Sequence, residues 1–218
     1  MKKKQLRVNI GCGMTPTKGW LNYDNSISIR LSQYYSLAFI LRKLAIISEE
    51  QFNFIKYCRN NNISFANATK KMPFKDSSVN VLYSSHMLEH LSRRDSKIFL
   101  KEASRILENG GILRIAIPDL EHFINSYSDH NDADRFMRDI VVEAPSIETW
   151  YDKVNLLISG YRHHQWMYNK ESIKKLVESF GFINVKILDA GETIIEKPGK
   201  LDLYERSDQS LYLEAKKG

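Results

Sequence analysis

At 218 residues, with 43% hydrophobic and 27% charged residues, the chain is long enough to bury the core of one α/β domain and too apolar to be disordered along its length. No Pro/Gly/Ser-rich linker divides it, so residues 1–218 read as a single domain, with residues 1–5 a flexible basic tail. The net charge of +6 favours an anionic substrate or surface, but no basic element interleaved with aromatic residues is present, which argues against nucleic acid as a partner.

Cys12 and Cys58 are too few for a disulfide framework, and no charged-then-apolar leader opens the sequence, so a cytoplasmic, reducing setting is expected. The most apolar stretch, Tyr34 to Ser48, is interrupted by Arg42 and Lys43 and is too short to span a bilayer.

Leu6 to Ile10 reads as a buried strand running into Gly11, and Trp20 to Tyr23 as a second short strand. Parallel neighbours are usually joined by a dozen or more residues, commonly a helix, yet here only residues 14–19 lie between the glycines and Trp20. An extended loop is therefore expected to make the crossover, leaving Asp24 beside Gly11 to Gly13.

From Ile29 to about Asn60 the pattern is helical and apolar nearly all round, predicting a helix buried on both sides; a lid, a dimer contact or a peripheral membrane contact are its functional alternatives. Ile63 to Phe65 and Val79 to Tyr83 read as strands, and Asp95 is expected to cap a helix over Ser96 to Leu107 that stops at Asn109-Gly110-Gly111.

Ile112 to Ile117 reads as a buried strand, followed by a helical region to about Tyr161 and an amphipathic helix over Lys170 to Phe180 that ends at Gly181. Phe182 to Leu188 and Ser210 to Ala215 are the last strands, with Glu192 to Asp208 a long loop. Strands alternating with helices predict an α/β fold with a mostly parallel sheet covered on both faces.

The glycine loop narrows the ligand. A dinucleotide fingerprint needs a third glycine where Pro16 stands, followed by a helix that is absent here, and no G-x-x-x-x-G-K-[ST] phosphate loop occurs. A ligand without phosphate fits better: Gly11 and Gly13 allow close backbone approach, and Asp24 can accept from both ribose hydroxyls of S-adenosylmethionine.

The ordered blocks VNIGCG, GWLNYD, KKMPFKDSSVNVLYSSHMLEHL, ILENGGILRIAIPDLE and HHQWMYNKESIKKLVESFGF extend over most of the chain. In them the chain resembles the class I S-adenosylmethionine-dependent methyltransferases, and among these the small group associated with bacterial surface-polysaccharide biosynthesis. The resemblance implies a Rossmann-like seven-stranded sheet with the last strand antiparallel, here without the helix between the first two strands. It also implies S-adenosylmethionine as cofactor and, as acceptor, a hydroxyl on a surface glycan, a lipid-linked glycan or a nucleotide sugar.

Carried over by position, Asn9, Gly11, Cys12 and Gly13 line the cofactor, Asp24 binds its ribose, Asn67 and Ala68 meet the adenine, and Ser84 lies at the same edge. Asn9 replaces an acid that many members carry, and Thr15 stands where a third glycine is frequent. A non-catalytic adenosine-binding or partner-binding protein on the same fold is the rival reading.

His86-Met87-Leu88-Glu89-His90 spells the H-x-x-E-H zinc pattern. Here it follows a strand rather than opening on a helix, and no downstream acid completes a ligand set, so no metal is expected. At the carboxyl edge of the sheet, His86 is the candidate general base for an acceptor hydroxyl or a residue shaping the pocket. His90 reads as structural, at most one of the adjacent His163 and His164 is expected to point inward, and Asp119 caps the helix beginning near Leu120.

Overall fold

The computed structural model describes residues 5–143, 149 and 163–218. Its sheet contains seven strands: β1 (Arg7–Ile10), β2 (Leu21–Asp24), β3 (Ser64–Phe65), β4 (Val79–Ser85), β5 (Leu107–Pro118), β6 (Phe182–Leu188) and β7 (Ser210–Lys217), in the order β3-β2-β1-β4-β5-β7-β6. The pairs from β3 to β5 are parallel, while β7 runs antiparallel to both β5 and β6, as the Rossmann-like expectation required. The helices are α1 (Ile27–Ser32), α2 (Tyr35–Lys43), α3 (Glu49–Asn60), α4 (Arg93–Ile106), α5 (Leu120–His130), α6 (Ala133–Asp139) and α7 (Lys170–Glu178). The predicted helical region up to Tyr161 extends past the end of α6 into residues 144–148 and 150–162, which lie outside the described residues.

Alternation along β5 assigns its two faces. Leu113, Ile115 and Ile117 join Leu211, Leu213 and Ala215 of β7 in a core that also takes in Phe99, Leu100 and Ala103 of α4 and Ile173 and Val177 of α7. Ala116 and Tyr212 point the other way, into a smaller cluster with Trp20, Tyr83, Ile195 and Leu201. Over this part of the second face the cover comes from the loop between β6 and β7.

That loop is fastened by a buried ion pair. Arg114 and Glu214 stand directly opposite each other across β5 and β7, both side chains fully buried and 2.6 Å apart. Arg114 also donates to the Glu192 carbonyl, while Glu214 accepts from Thr193 Oγ1 and the Ile194 amide. The pair thus holds residues 192–194 against the sheet.

Three predicted elements are corrected. The stretch from Ile29 to Asn60 is three helices rather than one, because Ala45 takes a left-handed φ of +53° and Ser48 opens α3 with a reciprocal capping box to Gln51. It is not buried on both sides: in α2 only Ala38 is buried, while Leu37, Phe39 and Ile40 are exposed.

The second correction concerns the cap of α4. Ser92 accepts from the Asp95 amide, and Asp95 sits in the first turn, where its carboxylate accepts from the Ser92 hydroxyl. Finally, α4 ends at Ile106 and passes straight into β5, so Gly110 and Gly111 lie in a strand irregularity rather than after the helix. A side chain on Gly111 would place its Cβ 2.8 Å from the Glu108 carbonyl oxygen.

The edge strands are irregular. β3 is only two residues long, and β6 shifts register between Ile183 and Lys186, with Asn184 at a φ of +53°. No helix among the described residues is long and apolar enough to cross a membrane.

Removing one partner of the Arg114–Glu214 pair strands the other as a buried charge. Glu214→Gln is expected to lower the unfolding free energy by about 3–5 kcal/mol in urea titration, and the paired change Arg114→Met with Glu214→Leu to cost less than the single one.

Candidate functional site

The site begins with a steric problem. β1 and β2 are parallel neighbours, yet residues 11–20 between them contain no helix, so buried side chains must answer the loop's polar backbone. Asn22 accepts from the Thr17 amide and donates to the Thr17 and Trp20 carbonyls. Asn9 donates to the Thr15 carbonyl and to Thr17 Oγ1. The crossover is free of helix, as the spacing predicted, but it is not extended: the Thr15 amide bonds the Cys12 carbonyl and the Trp20 amide the Thr17 carbonyl in two turns, and the Tyr57 hydroxyl of α3 ties Met14 from outside.

This bracing sets the glycine loop against the end of β2. One oxygen of Asp24 accepts from the Gly13 amide at 3.1 Å and the other from the Ser26 amide at 2.9 Å. Gly11 has a φ of +72°, and a Cβ there would lie 2.7 Å from Met87 Cγ and Sδ, so the segment after β4 packs directly on the loop. Gly13, at +48°, has nothing within 4 Å of the corresponding position and leaves the loop open on that side.

Cys12 is buried, and burial raises its thiol far above the usual range, with Asp24 adding to the effect; Cys58 is pushed up to about 11 by burial first and Asp24 second. Neither thiol is a nucleophile near neutral pH. Asn67 Oδ1 accepts from both the amide and hydroxyl of Thr69, so that oxygen closes its own turn, and Ala68 is buried beside it. Ser84 Oγ and Asn9 Oδ1 are buried without a hydrogen-bond partner among the described residues.

A second group lies at the carboxyl end of β4. His86 adopts a left-handed φ of +46°, an uncommon conformation for a residue with a side chain. Its Nε2 is 3.0 Å from Ser210 Oγ, while its Nδ1 lies 3.2 Å from Glu89 Oε1 and 3.3 Å from the Arg206 guanidinium. Two tautomers compete here: the Arg206 guanidinium only donates, which calls for an unprotonated Nδ1 with Nε2 donating to Ser210, whereas Nδ1–H turned to Glu89 leaves Nε2 as the acceptor a general base requires.

Glu89 is 1% exposed, and apart from His86 Nδ1 neither carboxylate oxygen meets a hydrogen-bond donor among the described residues. His90 Nε2 stands 4.0 Å from it, and the His164 ring packs 5.0 Å from the His90 ring. The segment carrying His164 is docked by the Gln165 and Trp166 amides on the Glu89 carbonyl and by the Gln165 side chain on the His90 carbonyl. Burial pulls the His164 imidazole below its usual pKa, against the opposing effect of Glu89, so it is neutral at pH 7.

The structure brings Gly11, Gly13 and Asp24 together and sets His86 beyond Met87 at the same edge. Asp119 caps α5 through the Glu121 amide, as expected. Sequence reasoning missed Ser210, Arg206 and the placement of His164 beside Glu89. The H-x-x-E-H pattern was the available signal for Glu89, whereas His164 is distant in sequence and gave none.

Residues 9–115 match the family model described as a methyltransferase domain. Among curated proteins none matches the chain. A solved S-adenosylmethionine-dependent methyltransferase from Thermotoga maritima, described as a possible histamine N-methyltransferase, is similar at 18% identity and a TM-score of 0.52, covering 100% of this chain and 84% of that one. A second, from Methanosarcina mazei, is similar at 12% identity and a TM-score of 0.52, covering 100% and 94%. A protein from Pyrococcus horikoshii gives 13% identity and a TM-score of 0.53, covering 100% and 84%. At these identities the likeness is one of fold.

Replacing either loop glycine by alanine places an L-residue at positive φ, costing about 1–2 kcal/mol of stability by denaturant titration. Gly11→Ala is expected to cost more than Gly13→Ala, because only the former must also displace Met87.

Proposed function

With a methyltransferase domain over residues 9–115 as the premise, we propose that the chain is a single-domain, cytoplasmic S-adenosylmethionine-dependent methyltransferase acting on an acceptor hydroxyl. The observation that carries this reading is that match falling on a glycine loop clipped to the carboxylate at the end of β2. The residues present fit the cofactor: Asn9 Oδ1 and Ser84 Oγ are buried polar atoms without partners at the carboxyl edge, and Gly13 leaves its side of the loop open. S-adenosylmethionine supplies a sulfonium methyl group that is already a strong electrophile.

The chain's own task is binding, orientation and proton removal. Asp24 holds the ribose hydroxyls with the lone pairs left after its two backbone bonds, and the Gly11 to Gly13 backbone lies along the amino-acid part. Asn67 has its amide nitrogen left for the adenine, its oxygen being held by Thr69, and Ala68 contributes its backbone. His86, oriented by Glu89, takes the acceptor proton at Nε2 in place of its contact with Ser210.

The acceptor is a hydroxyl on a surface glycan, a lipid-linked glycan or a nucleotide sugar. The net charge of +6 suits the anionic members of that group, and the exposed apolar residues of α2 beside Arg42 and Lys43 suit peripheral contact with a membrane carrying the lipid-linked ones. A second reading, a cofactor-binding protein without catalysis, draws on Asn67 closing its turn with the oxygen that would otherwise meet adenine.

Equilibrium titration with S-adenosylhomocysteine is expected to show saturable binding that Asp24→Ala weakens at least about tenfold, consistent with the loss of paired charge-assisted bonds. No binding by the intact protein defeats the proposal. With labelled S-adenosylmethionine and a panel of glycan, lipid-linked and nucleotide-sugar acceptors, His86→Gln is expected to lower kcat by about 10²–10⁴ with cofactor affinity little changed. Labelling of proteins or small amines alone overturns the hydroxyl acceptor, and bound cofactor with no transfer selects the second reading.

A further inference from the structure

We propose that Glu89, His90 and His164 form a binding site for one divalent first-row transition-metal ion, placed to hold an acceptor oxygen beside the methyl-transfer centre. One ligand atom from each of these residues lies within 4.8 Å of the other two, the one such group among the described residues. Around an ion bonded at about 2.1 Å, donor atoms stand about 3–3.5 Å apart, so the side chains close in by about an ångström when the ion binds.

The Glu89 carboxylate is the observation that calls for a ligand. It is 1% exposed, and apart from His86 Nδ1, 3.2 Å from Oε1, neither oxygen meets a hydrogen-bond donor among the described residues. Buried charge of this kind is costly unless paired or bound to a metal. His86 Nδ1 lies 3.2 Å from Oε1, the oxygen that His90 Nε2 faces at 4.0 Å, and the same Nδ1 is 3.3 Å from Arg206 while Nε2 meets Ser210, so Oε2 is left without a partner among the described residues.

The imidazoles are oriented as ligands. His90 has its Nδ1 3.1 Å from the His163 carbonyl, which makes Nδ1 the donor and turns the Nε2 lone pair toward Glu89. The His164 imidazole is hydrogen-bonded to the Ile140 backbone, yet its Nδ1 is buried without a partner among the described residues. A ring that donates one nitrogen to a backbone carbonyl and points the other at a neighbouring carboxylate is the arrangement metal-ligating histidines adopt. Two imidazoles with one carboxylate suit manganese, iron, cobalt or zinc over magnesium or calcium, which prefer oxygen donors throughout.

Position gives the site its use. Met87, between His86 and the ligands, packs on Gly11, so an ion held by Glu89 and His90 borders the cofactor loop. An ion with open coordination positions there would hold an acceptor hydroxyl and lower its pKa, leaving a more weakly held proton for His86 to remove. This role rests on the methyltransferase reading; the binding site itself does not.

The test is made on full-length protein stripped with chelator and titrated separately with Mn²⁺, Co²⁺ and Zn²⁺. One equivalent of at least one ion per chain is expected after desalting, measured by plasma mass spectrometry, with visible absorption bands from the Co²⁺ form. Glu89→Gln, His90→Asn and His164→Asn are each expected to weaken binding at least about tenfold. The two half-buried histidine variants keep the test decisive where the buried glutamate variant fails to fold.

S-adenosylhomocysteine affinity is measured on the same samples and is expected to change less than about threefold. Absence of stoichiometric ion, or undiminished binding in both histidine variants, overturns the site. Loss of S-adenosylhomocysteine binding by the intact protein with metal retained overturns the methyltransferase reading and leaves the metal site standing.

Discussion

Two parallel strands joined without a helix impose the constraint on which the cofactor edge depends. A crossover this short leaves Met14, Thr15 and Lys18 in water but buries Cys12 and Thr17, and each buried polar group left unanswered costs about 1–3 kcal/mol. Asn9 and Asn22 supply the missing donors and acceptors by imitating a backbone, each bonding to the loop from inside a strand. Asp24 then receives the Gly13 amide as a by-product of the same short connection. The asparagine in β1, which looks like a lost cofactor charge when read along the sequence, is therefore also a structural member of the loop.

The molecule handles two buried glutamates in opposite ways. Glu214 is met by Arg114, Thr193 and the Ile194 amide, and the result is a rigid fastening of a helix-free segment over one face of the sheet. Glu89 is met only by imidazoles among the described residues, His86 at 3.2 Å and His90 at 4.0 Å. The first glutamate belongs to folding, where full satisfaction lowers the free energy of one state. The second retains unused coordinating capacity, and it lies at the edge of the sheet where ligands are received.

The strands and the glycine loop beside Asp24 were legible in the sequence because their signals are local: apolar runs that end in Gly11, His86 and Asp119, and a carboxylate directly after a short strand. The break of the long helical stretch was also encoded locally, in the Ser48 to Gln51 capping box, but a continuous apolar pattern hid it. The exposed residues of α2 show why periodicity fails there, since an apolar residue carries no label saying what covers it. His164 was illegible for a different reason. Its approach to Glu89 is set by amides of residues 165 and 166 docking on the turn after β4, and no spacing rule foresees a contact made by backbone between distant segments.

The two ends of the sheet bear on how the protein behaves in a crowded solution. One end is a strand too short to template another, and the other carries a left-handed asparagine at its register shift, which interrupts the run of free amides and carbonyls. Neither margin offers a neighbouring chain a regular ladder to extend, so edge-to-edge polymerisation is blocked by backbone shape instead of by charge. The sheet can therefore be dense in β-branched residues without its edges becoming a seed for fibres.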